Sequence, residues 1–299
     1  MPRPLILFPK PGSFNWYVRR RIRTGNIEFY SFLADKYRVR DYIAERGRGV
    51  RLSTLYHVTK DPETIPFDKL PPSYVIKANN GSGRLIIVRE GIDGLSGKPA
   101  EPEKIRKTCR RWLRKRNITS LFTGELHYRR IAPLIIVEEF LSEQESLCPK
   151  DYKFYVFHGK PLFVEVHSGR YEKNHGCRIY DENFRELDLL IGDPISRKRD
   201  LKPDCFEEMK EIASSLAQGL DFVRIDLYCL GETIYFGECT LTPAAGFARF
   251  VPQRYDMLFG ALWENNTTRD NTKLTLSSSY PEESFLYCLD LPVGGISRL

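Results

Sequence analysis

Two segments toward the C-terminal end carry the residue types best suited to chemistry. In Arg224-Ile225-Asp226-Leu227-Tyr228, strand alternation sends Val223, Ile225 and Leu227 to one face and Arg224, Asp226 and Tyr228 to the other. A second run, Tyr235-Phe236-Gly237-Glu238-Cys239-Thr240, returns after Leu230-Gly231-Glu232, a turn composition. The hairpin brings Asp226 opposite or diagonal to Glu238 and Arg224 near Thr240, at cross-strand separations of ~5 to 8 Å. Like charges facing each other across a sheet repel, so the pair needs a proton, an arginine or a divalent cation. Carboxylate oxygens that leave room for waters and phosphate oxygens suit Mg²⁺ best. The competing reading is a solvated sheet face whose acids are paired to Arg224. The abrupt loop Thr242-Pro243-Ala244-Ala245-Gly246, directly after the second acid, favours a site.

A second feature is Val75-Ile76-Lys77-Ala78-Asn79-Asn80-Gly81-Ser82-Gly83, in which a lysine ends a strand just before a glycine-rich turn. Glycines let backbone N–H groups converge on phosphate oxygens, and a lysine adds a positive charge. The turn leads into a strand and lacks GxxxxGK[ST], so it is neither a Walker A loop nor a dinucleotide fingerprint; a plain hairpin turn is the alternative. Lys153 is an isolated cation in the apolar run Tyr152 to Phe157 and requires an anion, which a nucleotide phosphate would supply. Arg170, in a loop just beyond a strand, could hold phosphate bidentately. Glu165 and His167 share a strand face, with His175 and Arg178 further on; no HExxH or hydrolytic triad is present, and His167 reads as structural.

These residues need positioning elements. Val39, Tyr42 and Ile43 recur at helical spacing between Asp35, a cap, and Gly47, a stop. Tyr74 to Ala78 and Leu85 to Val88 form a hairpin across the glycine turn. A helix is expected over residues 102–116, with eight basic residues among the 13 from Lys104 to Arg116; we read these as a solvated outer face, with an acidic polymer or nucleic acid as the alternative. Leu134 to Phe140 is a buried strand, Tyr152 to Phe157 and Leu162 to His167 pair across His158-Gly159-Lys160-Pro161, and Pro203 to Leu220 is helical. Strands joined mainly by hairpins point to α+β rather than a doubly wound parallel sheet.

The 299 residues admit one elaborate domain or two intimate ones, and 41% hydrophobic with 28% charged residues is an ordinary globular balance. Forty-six basic against 39 acidic residues leave a net charge of +7, which suits anionic partners of any kind. The seven cysteines contain no CxxC pair, so neither a zinc site nor a disulfide framework is expected. No run reaches the ~20 apolar residues of a membrane span and no signal peptide is visible, which places the chain in the cytoplasm. Beyond Trp263 the sequence is polar and weakly patterned.

Taken in order, DKYRVRDYI, VIKANNGSG, IVEEFL, DYKFYVFHGKPLFVEV, RIDLY and YFGECTLTPAAGF resemble the TupA-like ATP-grasp family, named for teichuronopeptide biosynthesis, from about Asp35 to Trp263. The resemblance implies two α+β lobes with antiparallel sheets enclosing ATP: an N-terminal helical segment (1–70), a small lid lobe (71–141) and a large catalytic lobe with a tail (142–299). It implies that Lys77 and Lys153 contact the phosphates and that Asn80, Gly81, Ser82 and Gly83 close over them. Glu138, Glu139, Phe140 and Leu141 would face adenine, with a nearby acid on the ribose. Asp226 and Glu238 would hold Mg²⁺, joined weakly by Thr240 where many relatives carry asparagine, and Arg224, Arg170 and Lys153 would steady the transferring phosphoryl group. The implied activity is an ATP- and Mg-dependent carboxylate-amine ligase acting through an acyl phosphate. Its partners would be a small-molecule carboxylate and an amine or acidic glycan acceptor, so that an amino acid or amine joins an acidic sugar of a cell-surface polysaccharide. The alternatives are an ATP-grasp kinase acting on a sugar hydroxyl and a non-catalytic basic module; nucleic acid is not favoured.

Overall fold

The computed structural model describes residues 9–114, 119–142, 146–172, 175–196 and 198–264. Three helices open the chain: α1 (Phe14–Thr24), α2 (Ile27–Ala34) and α3 (Val39–Arg46). The Ser13 hydroxyl accepts from Trp16 N and caps α1, while Phe14, Tyr17, Val18 and Arg21 turn inward. The helix expected from Asp35 starts only at Val39. The Asp35 carboxylate takes the N–H groups of Tyr37 and Arg38 and forms a turn that closes α2 instead.

The first sheet is antiparallel throughout, in the order β1 (Leu55–Thr59), β6 (Ile135–Glu139), β2 (Tyr74–Ala78), β3 (Leu85–Arg89), β4 (Ile92–Asp93), β5 (Lys98–Pro99). One face packs Tyr74, Ile76, Val88, Ile135 and Val137 against Ile105, Cys109 and Trp112 of α4 (Pro102–Arg114). The burial of that apolar stripe leaves the basic side chains outward, where Lys104, Arg106 and Arg110 pair with Glu101, Glu103 and Glu63. The solvated-face reading of this helix therefore holds over the described residues. The expected continuation to residue 116 lies outside them. Two short helices, α5 (Thr119–Thr123) and α6 (His127–Arg130), lead back into β6.

The second sheet runs β12 (Thr233–Thr240), β11 (Phe222–Leu230), β7 (Asp151–Phe157), β8 (Lys160–Ser168), β9 (Gly176–Asp181), again antiparallel. A small pair, β10 (Leu190–Ile191) with β13 (Phe250–Val251), lies apart from it. Period-2 alternation divides the sheet cleanly. Tyr152, Phe154, Val156, Ile225 and Leu227 form a core with Phe206, Met209, Ile212 and Leu216 of α7 (Phe206–Leu216) and with Tyr42 and Ile43 of α3. The opposite face is apolar at one end, where Tyr155, Phe157, Phe163 and Phe222 join Phe14 of α1 and Phe259 and Trp263 of α8 (Arg254–Glu264). At its other end it carries the charged residues.

Cys205 and Cys229 bring their sulfurs into contact, but their Cα atoms lie 7.4 Å apart. A disulfide spans ~4.4 to 6.8 Å between Cα atoms, so we read the pair as adjacent thiols. Cys109, Cys148, Cys177 and Cys239 are free. The C-terminal stretch from residue 265 lies outside the described residues.

Candidate nucleotide and catalytic site

The β11–β12 hairpin fixes the two acids. Asp226 stands directly opposite Glu238 and Arg224 opposite Thr240. Between Asp226 and Leu227 the register shifts, because Gly237 forms a bulge. A Cβ there would lie 3.0 Å from the Asp226 carbonyl oxygen and 3.1 Å from the Tyr228 ring, so the bulge position leaves little space for a side chain.

The next strand supplies the counter-charges. Asp226 pairs with Lys153 of β7, whose Nζ donates to Asp226 Oδ2 at 2.6 Å and also to Asp151 Oδ2. Arg224 grips the same carboxylate bidentately, with Nε to Oδ1 and Nη2 to Oδ2 both at 2.7 Å, and Nη2 reaches Thr240 Oγ1 at 3.1 Å. Arg170 Nη1 donates to Asp151 Oδ2 at 2.9 Å. Charges thus alternate along one line: Arg224, Asp226, Lys153, Asp151, Arg170. Burial alone would push the Asp226 carboxyl up, but Arg224 and Lys153 outweigh it and hold its pKa at about 2. The anions that Lys153 requires are in the first instance these two internal carboxylates.

The first sheet provides the facing wall. Lys77 of β2 pairs with Glu138 of β6; burial works against its ammonium, but Glu138 keeps the pKa above the ordinary lysine value. Gly81 and Gly83 take φ of 83° and 73°, as the turn requires. The turn is anchored by buried Asn79, whose amide bonds Asp35 Oδ1, the Ala132 carbonyl and Leu134 N. Asn80 is buried too and accepts from Arg84 at 3.3 Å. Glu139 turns toward Thr54, accepting from its N–H and hydroxyl at 2.9 and 2.8 Å.

A single cleft runs between the two walls. Lys77, the Gly81 to Gly83 turn, Glu138 to Leu141, Asp151, Arg170, Asp226 and Glu238 all border it. Asn80, Lys153, Arg224 and Thr240 stand behind this lining, joined to it through Arg84, Asp151 and Asp226. Sequence reasoning missed Lys36, which donates to the Gly81 carbonyl at 2.9 Å and lies 3.5 Å from Glu238 Oε1, bridging turn and acid. It also missed Asp151, whose Oδ1 is buried without a partner. An unpaired cation in DKYRVRDYI and an acid two residues before Lys153 were the available signals. His167 stacks on His175 with ring centroids 5.6 Å apart, in keeping with a structural role. Burial raises the thiol pKa of Cys148, at the cleft wall, to about 11, far from a reactive thiolate.

The residues present fit a hard divalent cation. A carboxylate offers about four acceptor positions, and Asp226 uses three on Arg224 and Lys153. Glu238 has the Lys36 contact alone among the described residues. No group of three or more His, Cys, Asp or Glu is placed to hold a metal among the described residues. Two carboxylates match the one or two with which proteins hold Mg²⁺ alongside substrate phosphates. Among the described residues no helix is long and apolar enough to cross a membrane.

Comparison with known proteins agrees with this architecture. Three similar solved structures are the D-alanine–D-alanine ligase of Bacillus anthracis complexed with ATP (14% identity, TM-score 0.39, covering 72% of this chain and 56% of that one), the ATP-grasp ligase PsnB complexed with a minimal precursor, Mg and ADP (13%, 0.38, 77% and 53%) and the phosphoribosylamine–glycine ligase of Thermotoga maritima (14%, 0.41, 73% and 51%). The chain thus spans little more than half the length of these structures. No curated protein matches it significantly. A family profile described as TupA-like ATPgrasp matches residues 14–264, and by that match the chain belongs to the TupA-like ATP-grasp family.

Proposed function

We propose that the chain is an ATP- and Mg-dependent carboxylate-amine ligase that forms an amide through an acyl phosphate, joining an amino acid or amine to an acidic sugar of a cell-surface polysaccharide. The observation that carries this reading is the alternating line Arg224, Asp226, Lys153, Asp151, Arg170 facing Lys77 and the glycine turn across one cleft. Transfer of a phosphoryl group needs positioning and charge neutralisation rather than an enzyme nucleophile, and the cleft offers just those.

In this reading the adenine lies beside Phe140 and Leu141, and the unpartnered Asp151 Oδ1 takes a ribose hydroxyl. Lys77 holds the phosphates beneath the Gly81 to Gly83 turn, with Lys153 behind the acids. Asp226 and Glu238 hold Mg²⁺, which neutralises charge on the phosphate oxygens when bound. Arg224 is fixed by Asp226 and Thr240, so its guanidinium is oriented before substrate arrives. Family membership supports ATP-dependent ligation in general, and the net charge of +7 suits an acidic acceptor.

Calorimetric titration with ATP, with and without Mg²⁺, tests the site. Binding that needs Mg²⁺ and collapses in Lys77→Ala and in the double change Asp226→Asn, Glu238→Gln is the expected result. A native chain that binds no nucleotide would sink the proposal.

A further inference from the structure

The cleft accounts for the nucleotide but not for the amine that must attack, and a subsite for that amine rests on the ligase reading. Beyond Arg224 and Thr240 the polar face of the second sheet continues under the segment joining α5 to α6. There Glu125 Oε1 accepts from Thr242 Oγ1 at 2.6 Å. Tyr128, three residues on, lies in the field of Glu238, Glu125 and Asp226, with Arg224 opposing. Burial first, and then the first two of these carboxylates, raise the pKa of its phenol. The segment therefore reaches the reacting end of the cleft from the side away from Phe140 and Leu141.

The loop beneath it is strained and firmly held. Ala244 and Ala245 adopt φ of 47° and 51°, a left-handed conformation that alanine avoids. From α1, Asn15 Nδ2 donates to the Ala248 carbonyl and Asn15 Oδ1 accepts from Ala248 N, both at 2.9 Å. Arg19 Nη1 donates to the Ala245 carbonyl at 3.3 Å and also to the Thr123 carbonyl, so one arginine ties the strained loop to the α5–α6 segment. Strain maintained by so many independent contacts is concentrated at binding sites.

The charge balance selects the ligand. Asp226 is neutralised by Arg224 and Lys153, whereas Glu125 has a neutral hydroxyl as its partner and Glu238 has Lys36 at 3.5 Å. The wall is left with surplus acceptors and negative charge, which favours a donor-rich, cationic group. We propose that Glu125 and Tyr128 form the subsite that binds the acceptor, a primary amine held through its N–H groups, with Thr242 fixing the Glu125 carboxylate. On this view the short N-terminal helices hold the acceptor wall in place rather than supplying it.

The test loads the full chain with Mg²⁺ and the non-hydrolysable analogue AMP-PNP and follows binding of glycine, L-lysine, glucosamine and ethylamine by saturation-transfer NMR. At least one amine should bind the native chain. Glu125→Gln and Tyr128→Phe should each weaken it by about tenfold or more, with the AMP-PNP affinity kept within about twofold. Tyr128→Phe removes one oxygen and leaves the Thr242 contact intact, so it separates lost recognition from lost folding. An amine that binds both variants as it binds the native chain, or a nucleotide-loaded native chain that binds none of the four, overturns the subsite. A native chain that takes up no AMP-PNP overturns instead the nucleotide reading beneath it.

Discussion

Lys153 Nζ lies 2.6 Å from Asp226 Oδ2 on a sheet face where both side chains are almost wholly withdrawn from solvent. Such a pair gains little over an apolar replacement of both partners but costs heavily when one partner goes. Lys153→Met would leave Asp226 to Arg224 alone and Asp151 to Arg170 alone. The expected loss is ~3 to 5 kcal/mol of stability, read by urea unfolding. Lys153→Arg should recover part of it, and equal unfolding midpoints for the native chain and Lys153→Met would show that the pair carries no such weight.

The same carboxylate sets an acid limit on stability. Its folded pKa of about 2 lies below the reference 3.8, so protons bind the unfolded chain more readily. Its contribution is therefore complete above about pH 5 and is lost as pH falls toward and through about 2. Its size is ~2 kcal/mol, from ~1.36 kcal/mol per pKa unit. Unfolding free energies measured between pH 6 and pH 2 should fall more steeply for the native chain than for Asp226→Asn, and parallel curves would contradict the assignment.

Lys77 and Glu138 are joined across neighbouring strands at the cleft wall. Lys77→Ala removes the phosphate-facing charge and also leaves Glu138 as an unneutralised acid beside the nucleotide. Both effects act against a polyanion, and together they should raise the Kd for Mg-ATP by about 100-fold or more, each ~1.4 kcal/mol being tenfold. Lys77→Arg keeps the charge and should lose far less. Calorimetry on the three chains decides the matter, and unchanged affinity in Lys77→Ala would move the phosphates elsewhere.

Strand alternation around Arg224 and Asp226, together with one short turn, sufficed to place Asp226 across from Glu238, because a hairpin's register is a local property. The partners of Lys153 were not legible in that way. Asp226 lies 73 residues further along the chain, and only the pairing of β7 with β11 brings the two together. Arg21 was missed as well, although Phe14, Tyr17, Val18 and Arg21 follow Ser13 at helical spacing. Its guanidinium bonds the Phe222 and Leu241 carbonyls at 2.9 Å, tying α1 to β11 and to the residue just past β12. An arginine inside an apolar stripe looks like an interruption of the pattern until the carbonyls that need it are in place.

The two faces of α4 make opposite predictions. Trp112 is 9% exposed and packs against the first sheet, whereas Lys107 and Arg111 are exposed. Trp112→Ala should cost ~3 to 5 kcal/mol, the usual penalty for removing a large aromatic from a core. Arg111→Ser and Lys107→Ser should each stay within ~0.5 kcal/mol in urea unfolding. If the basic face is only solvated, the double serine variant will also bind Mg-ATP as the native chain does. A loss of nucleotide affinity in that variant would instead assign the helix a part in the site.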